Sequence, residues 1–248
     1  MARSIAVSTA FAVLFLGGWF AWGQPRQKPP GGTIRKPQMS DTIKANVYAD
    51  NWFILYLNGE LVAVDSIRFI PHNVVSVDIL PTYPMTIAVM AKDNADPQTG
   101  MEYANTNNGD GGFILKFGDG TVTNAQWKAQ RFSWGPIDRD TKNPRVENNP
   151  IPENWYAVDF DDSAWGQAKE YTEAQIGPKQ PYFEHDFRGA RFIWTDDVEL
   201  DNTVIFRHVV PAPPDGKPRP DFSNLNNVVP DAPPKTPKKP KSPRPPKR

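Results

Sequence analysis

Carboxylates and carboxamides are the only side chains in this 248-residue sequence dense enough to suggest a site, and they gather in two places. Asp159, Asp161 and Asp162 crowd into one short stretch, "DFDDSAWGQA" (159–168). A glycosidase needs two carboxyl groups on opposite sides of a sugar ring, and neighbours on a single turn cannot span that gap. They read instead as a helical turn with Asp162 or Ser163 accepting from free backbone amides and Trp165 packed inward. The second gathering is "NADPQTGMEYANTNNGDGG" (94–112), with Asp93 just before it. Here Tyr103 offers an aromatic face to the C–H side of a sugar, while Asn105, Asn107, Asn108, Asp93 and Asp110 offer directional donors and acceptors to hydroxyls. The same oxygens suit a structural Ca²⁺ at Asp93 and Asp110, although their spacing is not that of an EF-hand. Trp134, before Gly135-Pro136, is a further stacking candidate.

Other catalytic constellations are missing from the sequence. His72, His185 and His208 are scattered without metal-ligand spacing, Ser133 and Ser163 lack a nucleophile-elbow context, and no glycine-rich phosphate loop opens a helix. Cysteine is absent, so neither thiol chemistry nor a disulfide framework is available. A non-catalytic protein that requires no cofactor is therefore expected.

The elements that must position the 94–112 loop read almost entirely as strands. In "YADNWFILYLNGELVAV" (48–64), apolar residues occupy both faces of an extended segment, and Asn58-Gly59 supplies the positive φ angles of a two-residue hairpin turn. Val74–Ile79, "MTIAVMA" (85–91), "ARFIW" (190–194) and "NTVIFRHVV" (202–210) continue the pattern. "GGFILKFGDGTVTNA" (111–125) reads as strand, Gly-Asp-Gly turn and strand, and 135–154 as a second long loop. Short strands at this spacing, without helical periodicity or an internal repeat, predict an all-β antiparallel sandwich over residues 42–210.

The ordered set Ala49-Asp50-Asn51, "FILYLNGELV", "TIAVMAKD", "GGFILKFGDG", Trp127, "DFDDSAW", "ARFIW" and "NTVIFR" resembles the galactose-binding-domain-like jelly rolls found as non-catalytic modules of glycoside hydrolases such as α-L-rhamnosidases. The resemblance covers nearly the whole of 42–210. It implies a β-sandwich with ligands on loops at one end or along an exposed face, and so a lectin-like carbohydrate-binding role.

The chain ends carry different signals. Arg3, the apolar run Ile5–Phe20 and Ala21-Trp22-Gly23 read as a signal peptide over 1–23, removed before Gln24, which predicts a secreted, extracellular protein without a lasting membrane span. Residues 24–41 read as a flexible lead. The tail 211–248 holds 13 of the 27 prolines and reads as disordered. Formal charge is zero overall but is +5 over 1–40, −11 over 41–210 and +6 over 211–248. An alternative role follows from that split: a matrix or surface-attachment protein whose basic tail binds an anionic polymer. Export and the lack of aromatics among the basic residues argue against nucleic acid.

Overall fold

The computed structural model describes residues 32–33, 36–65, 73–222 and 229–230; residues 1–23, which the sequence reads as a signal peptide, His72 and most of the basic tail lie outside them. Fourteen strands occur in the order β1 (Gly32–Thr33), β2 (Ile43–Asp50), β3 (Trp52–Leu57), β4 (Glu60–Val64), β5 (Val74–Ile79), β6 (Met85–Lys92), β7 (Gly112–Phe117), β8 (Lys128–Trp134), β9 (Glu147–Asn148), β10 (Gly166–Gln167), β11 (Lys169–Tyr171), β12 (Phe192–Trp194), β13 (Asp201–Val210) and β14 (Val229–Pro230). The unit Ile34–Val229 holds two antiparallel sheets. One has seven strands, ordered β10-β8-β13-β6-β3-β4 with β9 also on β8; the other has five, ordered β11-β12-β7-β2-β5. The all-β antiparallel sandwich expected from the strand pattern is the architecture of this unit.

Alternation along the strands builds the core. Phe53 and Leu55 of β3, Ile87, Val89 and Ala91 of β6 and Val204 and Phe206 of β13 are buried from one sheet, facing Ala45, Val47 and Ala49 of β2 and Phe113, Leu115 and Phe117 of β7 from the other. Phe113 stacks on Phe206 across the interface at 5.2 Å between ring centroids. Removing one such ring costs about 3–5 kcal/mol, so the sandwich dispenses with disulfides.

Both outer faces are partly covered. On the seven-stranded sheet, the segment 149–165 lays Trp155, Tyr156 and Trp165 over Tyr56, Phe132 and Ile205. Its fastener is Arg207, whose buried guanidinium donates from Nε to Asp162 Oδ2 (2.8 Å) and from its Nη atoms to the carbonyls of Trp155 and Ala157. This explains the apolar residues on both faces of β3. On the five-stranded sheet, Tyr182 and Phe192 pack edge-on against Tyr48, and Phe187 stacks on Tyr182.

Several local expectations need correction. Tyr48–Asp50 belong to β2 in the five-stranded sheet, so only Trp52–Val64 form the hairpin, with Asn58 at φ 49° and Gly59 at φ 83° as expected. Residues 159–165 make turns rather than a helix, because the side chain of Asp162 goes to Arg207 instead of capping. The short α-helix lies at Glu173–Ile176, where Thr172 caps the Gln175 amide and Gly177 closes it at φ 68°. Beyond the Gly118–Gly120 turn, Val122 makes one isolated bridge to Lys116, and residues 121–125 do not form the expected strand. The first residues of the tail, 211–222, are described, with Arg219 bonded to Asp215 at 2.8 Å.

Candidate functional site

Strand register brings the ends of five strands to one end of the sandwich. Asp50 closes β2 opposite Gly112, where β7 begins, and Lys92 closes β6 opposite both Trp52 of β3 and Thr203 near the start of β13. The loop 94–111 must cross this end to join β6 to β7. It is fastened there by backbone bonds from Asp93 N to Asn202 O (3.0 Å), Gly109 N to Glu199 O (3.0 Å) and Gly111 N to Val198 O (2.8 Å).

Within the loop, Asp96 holds a first turn by accepting from the Gln98 and Thr99 amides. Glu102 and Asn107 then pair as an isolated bridge around a tip in which Tyr103, Ala104 and Asn105 all have positive φ, at 47°, 57° and 65°. Left-handed backbone costs a non-glycine residue about 1–2 kcal/mol, so packing must hold the tip in that form. The result is an inside and an outside: Glu102 is 1% exposed and Tyr103 51%.

Inside, the buried Asp93 and Glu102, with the exposed Asp110 beside them, place one carboxylate oxygen each within 4.8 Å of one another. Asp93 Oδ1 accepts from Asn94 N (2.8 Å) and its Oδ2 from Asp110 N (3.2 Å). No amide or hydroxyl donor reaches either oxygen of Glu102, which lies against the Asp93 carboxyl, and Asn108 Oδ1 is buried without a partner. Burial, then a hydrogen bond shared with the Glu102 carboxyl, then the Glu102 and Asp110 charges hold Asp93 well above the usual carboxylate range. Glu102 is raised too, chiefly by burial, with the Asp110 charge adding to it. Asp50, at the end of β2, accepts from Asn51 Nδ2 at 2.7 Å; burial and then the charges of Asp110 and Glu102 push it up to about 8. Such a concentration of buried negative charge is costly unless protons or a cation neutralise it.

Outside, on the outer face of the seven-stranded sheet, a cleft of about 310 Å³ begins at Lys92 and Asp93. It is lined by Phe132 and Ile151, by Ser133, Asn148, Asn149, Asn202 and Thr203, and by the first arm of the loop, Ala95–Pro97. Asn202 turns its Nδ2 to the carbonyl of Gly135 at 3.3 Å and leaves its Oδ1 without a partner. Apolar side chains set among carboxamides and hydroxyls make a lining that can hold and orient a small polar ligand.

The expected site residues divide between these two features. Asp93 and Asp110 come together, as the cation reading requires. Asn108 is half-buried in the same loop, whereas Asn105 and Asn107 are exposed near the tip, Asn105 Oδ1 taking the Thr99 hydroxyl. Tyr103 and Trp134 do not line the cleft; Trp134 is half-buried beneath Arg131, whose guanidinium stands 4.4 Å from its ring centroid. Asp162 is committed to Arg207, and Asp161 accepts from the Ser163 amide. His185 faces the Pro181 carbonyl and His208 stacks on Trp127 at 5.2 Å. Sequence reasoning missed Glu102, Asp50 and the cleft. No protein-family model, curated protein or solved structure matches the chain.

Proposed function

We propose that this is an exported, non-catalytic binding protein whose sandwich takes a carbohydrate at the end that carries the 94–111 loop. The observation behind this reading is the cleft, where Phe132 and Ile151 can meet the apolar face of a sugar while Ser133, Asn148 and Asn149 address its hydroxyls. The likeness to galactose-binding-domain-like modules, whose ligands sit at sheet ends or on exposed faces, supports the same location. Tyr103 at the loop tip extends that surface with an exposed ring. Export rests on the signal-like 1–23 segment; among the described residues no helix is long and apolar enough to cross a membrane.

A glycan array probed with the chain from Gln24 onward, and with its Asn149→Ala variant, tests the reading. Saturable binding to a defined glycan set that weakens at least tenfold in the variant is the expected result. Absence of glycan binding by the folded wild type would overturn it. The charge split favours the second reading, in which the basic tail attaches the protein to a polyanion and the sandwich serves as a spacer.

A further inference from the structure

We propose that Asp93, Glu102 and Asp110 bind one divalent cation, Ca²⁺ by donor chemistry, which ties the 94–111 loop to the end of β6. The inference is independent of what the cleft binds.

Size and donor type come first. The donor set is all oxygen, which selects a hard cation over zinc or copper. Calcium–oxygen bonds of about 2.3–2.6 Å put ligands on opposite sides of the ion about 4.6–5.2 Å apart. Three carboxylate oxygens within 4.8 Å of one another fit inside that shell without rearrangement. Mg²⁺ demands a smaller, near-ideal octahedron and keeps most of its water, which suits a site with two buried carboxylates poorly.

Glu102 supplies the second, separate observation. It is 1% exposed, and no amide or hydroxyl donor reaches either of its oxygens, whose one side-chain partner is the Asp93 carboxyl beside it. Native proteins rarely leave a buried carboxylate in that state, and a cation provides what the surrounding backbone does not. Asn108 Oδ1, also buried and without a partner, offers a neutral oxygen on the same loop. Gly109 lies between Asn108 and Asp110, and its lack of a β-carbon lets the backbone close onto the Asp93 carboxylate.

The test uses the full chain, stripped with EDTA and exchanged into metal-free buffer at pH 7.5. It is titrated with CaCl₂ by calorimetry and with TbCl₃ by luminescence, and melted in CaCl₂, in MgCl₂ and in NaCl of equal ionic strength. One Ca²⁺ per chain is expected, with a melting temperature about 5–10 °C higher at hundredfold excess over Kd. Magnesium should give much less and sodium none. Glu102→Gln should lower Ca²⁺ affinity at least a hundredfold while leaving the EDTA-state melt unchanged or higher, because it removes a buried charge set against another carboxyl. Should that variant not fold, Asp110→Asn, at an exposed position, should weaken Ca²⁺ at least tenfold. No saturable binding by the wild type, stabilisation equal to that given by sodium, or wild-type Ca²⁺ affinity in the folded variants would each overturn the assignment.

Discussion

A β-carbon placed on Gly109 would stand 1.8 Å from Asp93 Oδ2 and 3.2 Å from the carbonyl oxygen of Glu199, so the loop backbone and the Asp93 carboxylate occupy one another's only approach. Asp110 N donates to that same Oδ2, and Gly109 N donates to Glu199 O. Gly109→Ala therefore cannot be absorbed by a flexible side chain alone. The expected cost is about 1–3 kcal/mol, read from urea denaturation, together with weaker Ca²⁺ binding. An unchanged urea midpoint would show that the loop is not seated on Asp93.

The sandwich was legible because its strands alternate: Ile87, Val89 and Ala91, or Val204 and Phe206, announce a buried face without help from the rest of the chain. Asn58-Gly59 announces its turn in the same local way. β8 was not legible, since "KAQRFSW" mixes charged and polar residues with a single phenylalanine, and its pairing with β13 decides its conformation. The site was half legible. Asp93 and Asp110 carry chemistry in their type alone, whereas Glu102 is recruited by a tip with three successive left-handed residues, a conformation that Tyr-Ala-Asn does not signal. The cleft depends on 149–165 folding back over the sheet, and the residue that holds it there, Arg207, lies more than forty positions away from Asp162 in sequence.

Replacing Arg207 by leucine should release that segment. The side chain is buried and leaves behind Asp162 and two carbonyls without their donor, so the expected loss is about 3 kcal/mol, discounted for the partial exposure of Asp162. Hydrogen exchange should rise through 153–165 while the inner core around Phe113 and Phe206 keeps its protection. Uniform loss of protection across both sheets would instead make Arg207 a support of the whole fold.

His208 predicts a pH dependence. Burial against Trp127 lowers its pKa below the usual imidazole value, so between its folded value and about 6.5 the unfolded chain binds more protons than the native one. Stability should therefore be undiminished by this residue above pH 7 and fall as pH drops through 6.5 toward the folded pKa. His208→Gln should flatten that part of the profile. An identical slope in the variant between pH 7 and 5 would assign the acid sensitivity to other groups.

Tyr103 and Asn149 separate the loop tip from the cleft. Tyr103 is exposed and makes little core contact, so Tyr103→Ala should change stability by no more than about 0.5 kcal/mol. If a sugar stacks on the tip, the same change should cost about 1 kcal/mol or more of binding, measured by calorimetry on the best array hit. Loss confined to Asn149→Ala would place the sugar in the cleft alone.

Salt resolves the two functional readings. Residues 211–222 are electrically neutral, and the whole +6 of the tail lies beyond Phe222. A chain ending at Phe222 thus loses the basic segment and keeps the described residues that follow the sandwich. Attachment to a polyanion through that segment should weaken steeply between about 20 and 150 mM salt, because the screening length contracts to about 8 Å, and should vanish in the truncated chain. Sugar binding in the cleft depends on short hydrogen bonds and apolar contact, which screening at that range barely alters. The truncated chain should then bind its glycan with the affinity of the intact one at both salt concentrations. A truncated chain that melts normally, binds no glycan in either salt and leaves heparin or teichoic-acid binding only to the intact protein would decide for attachment by the tail.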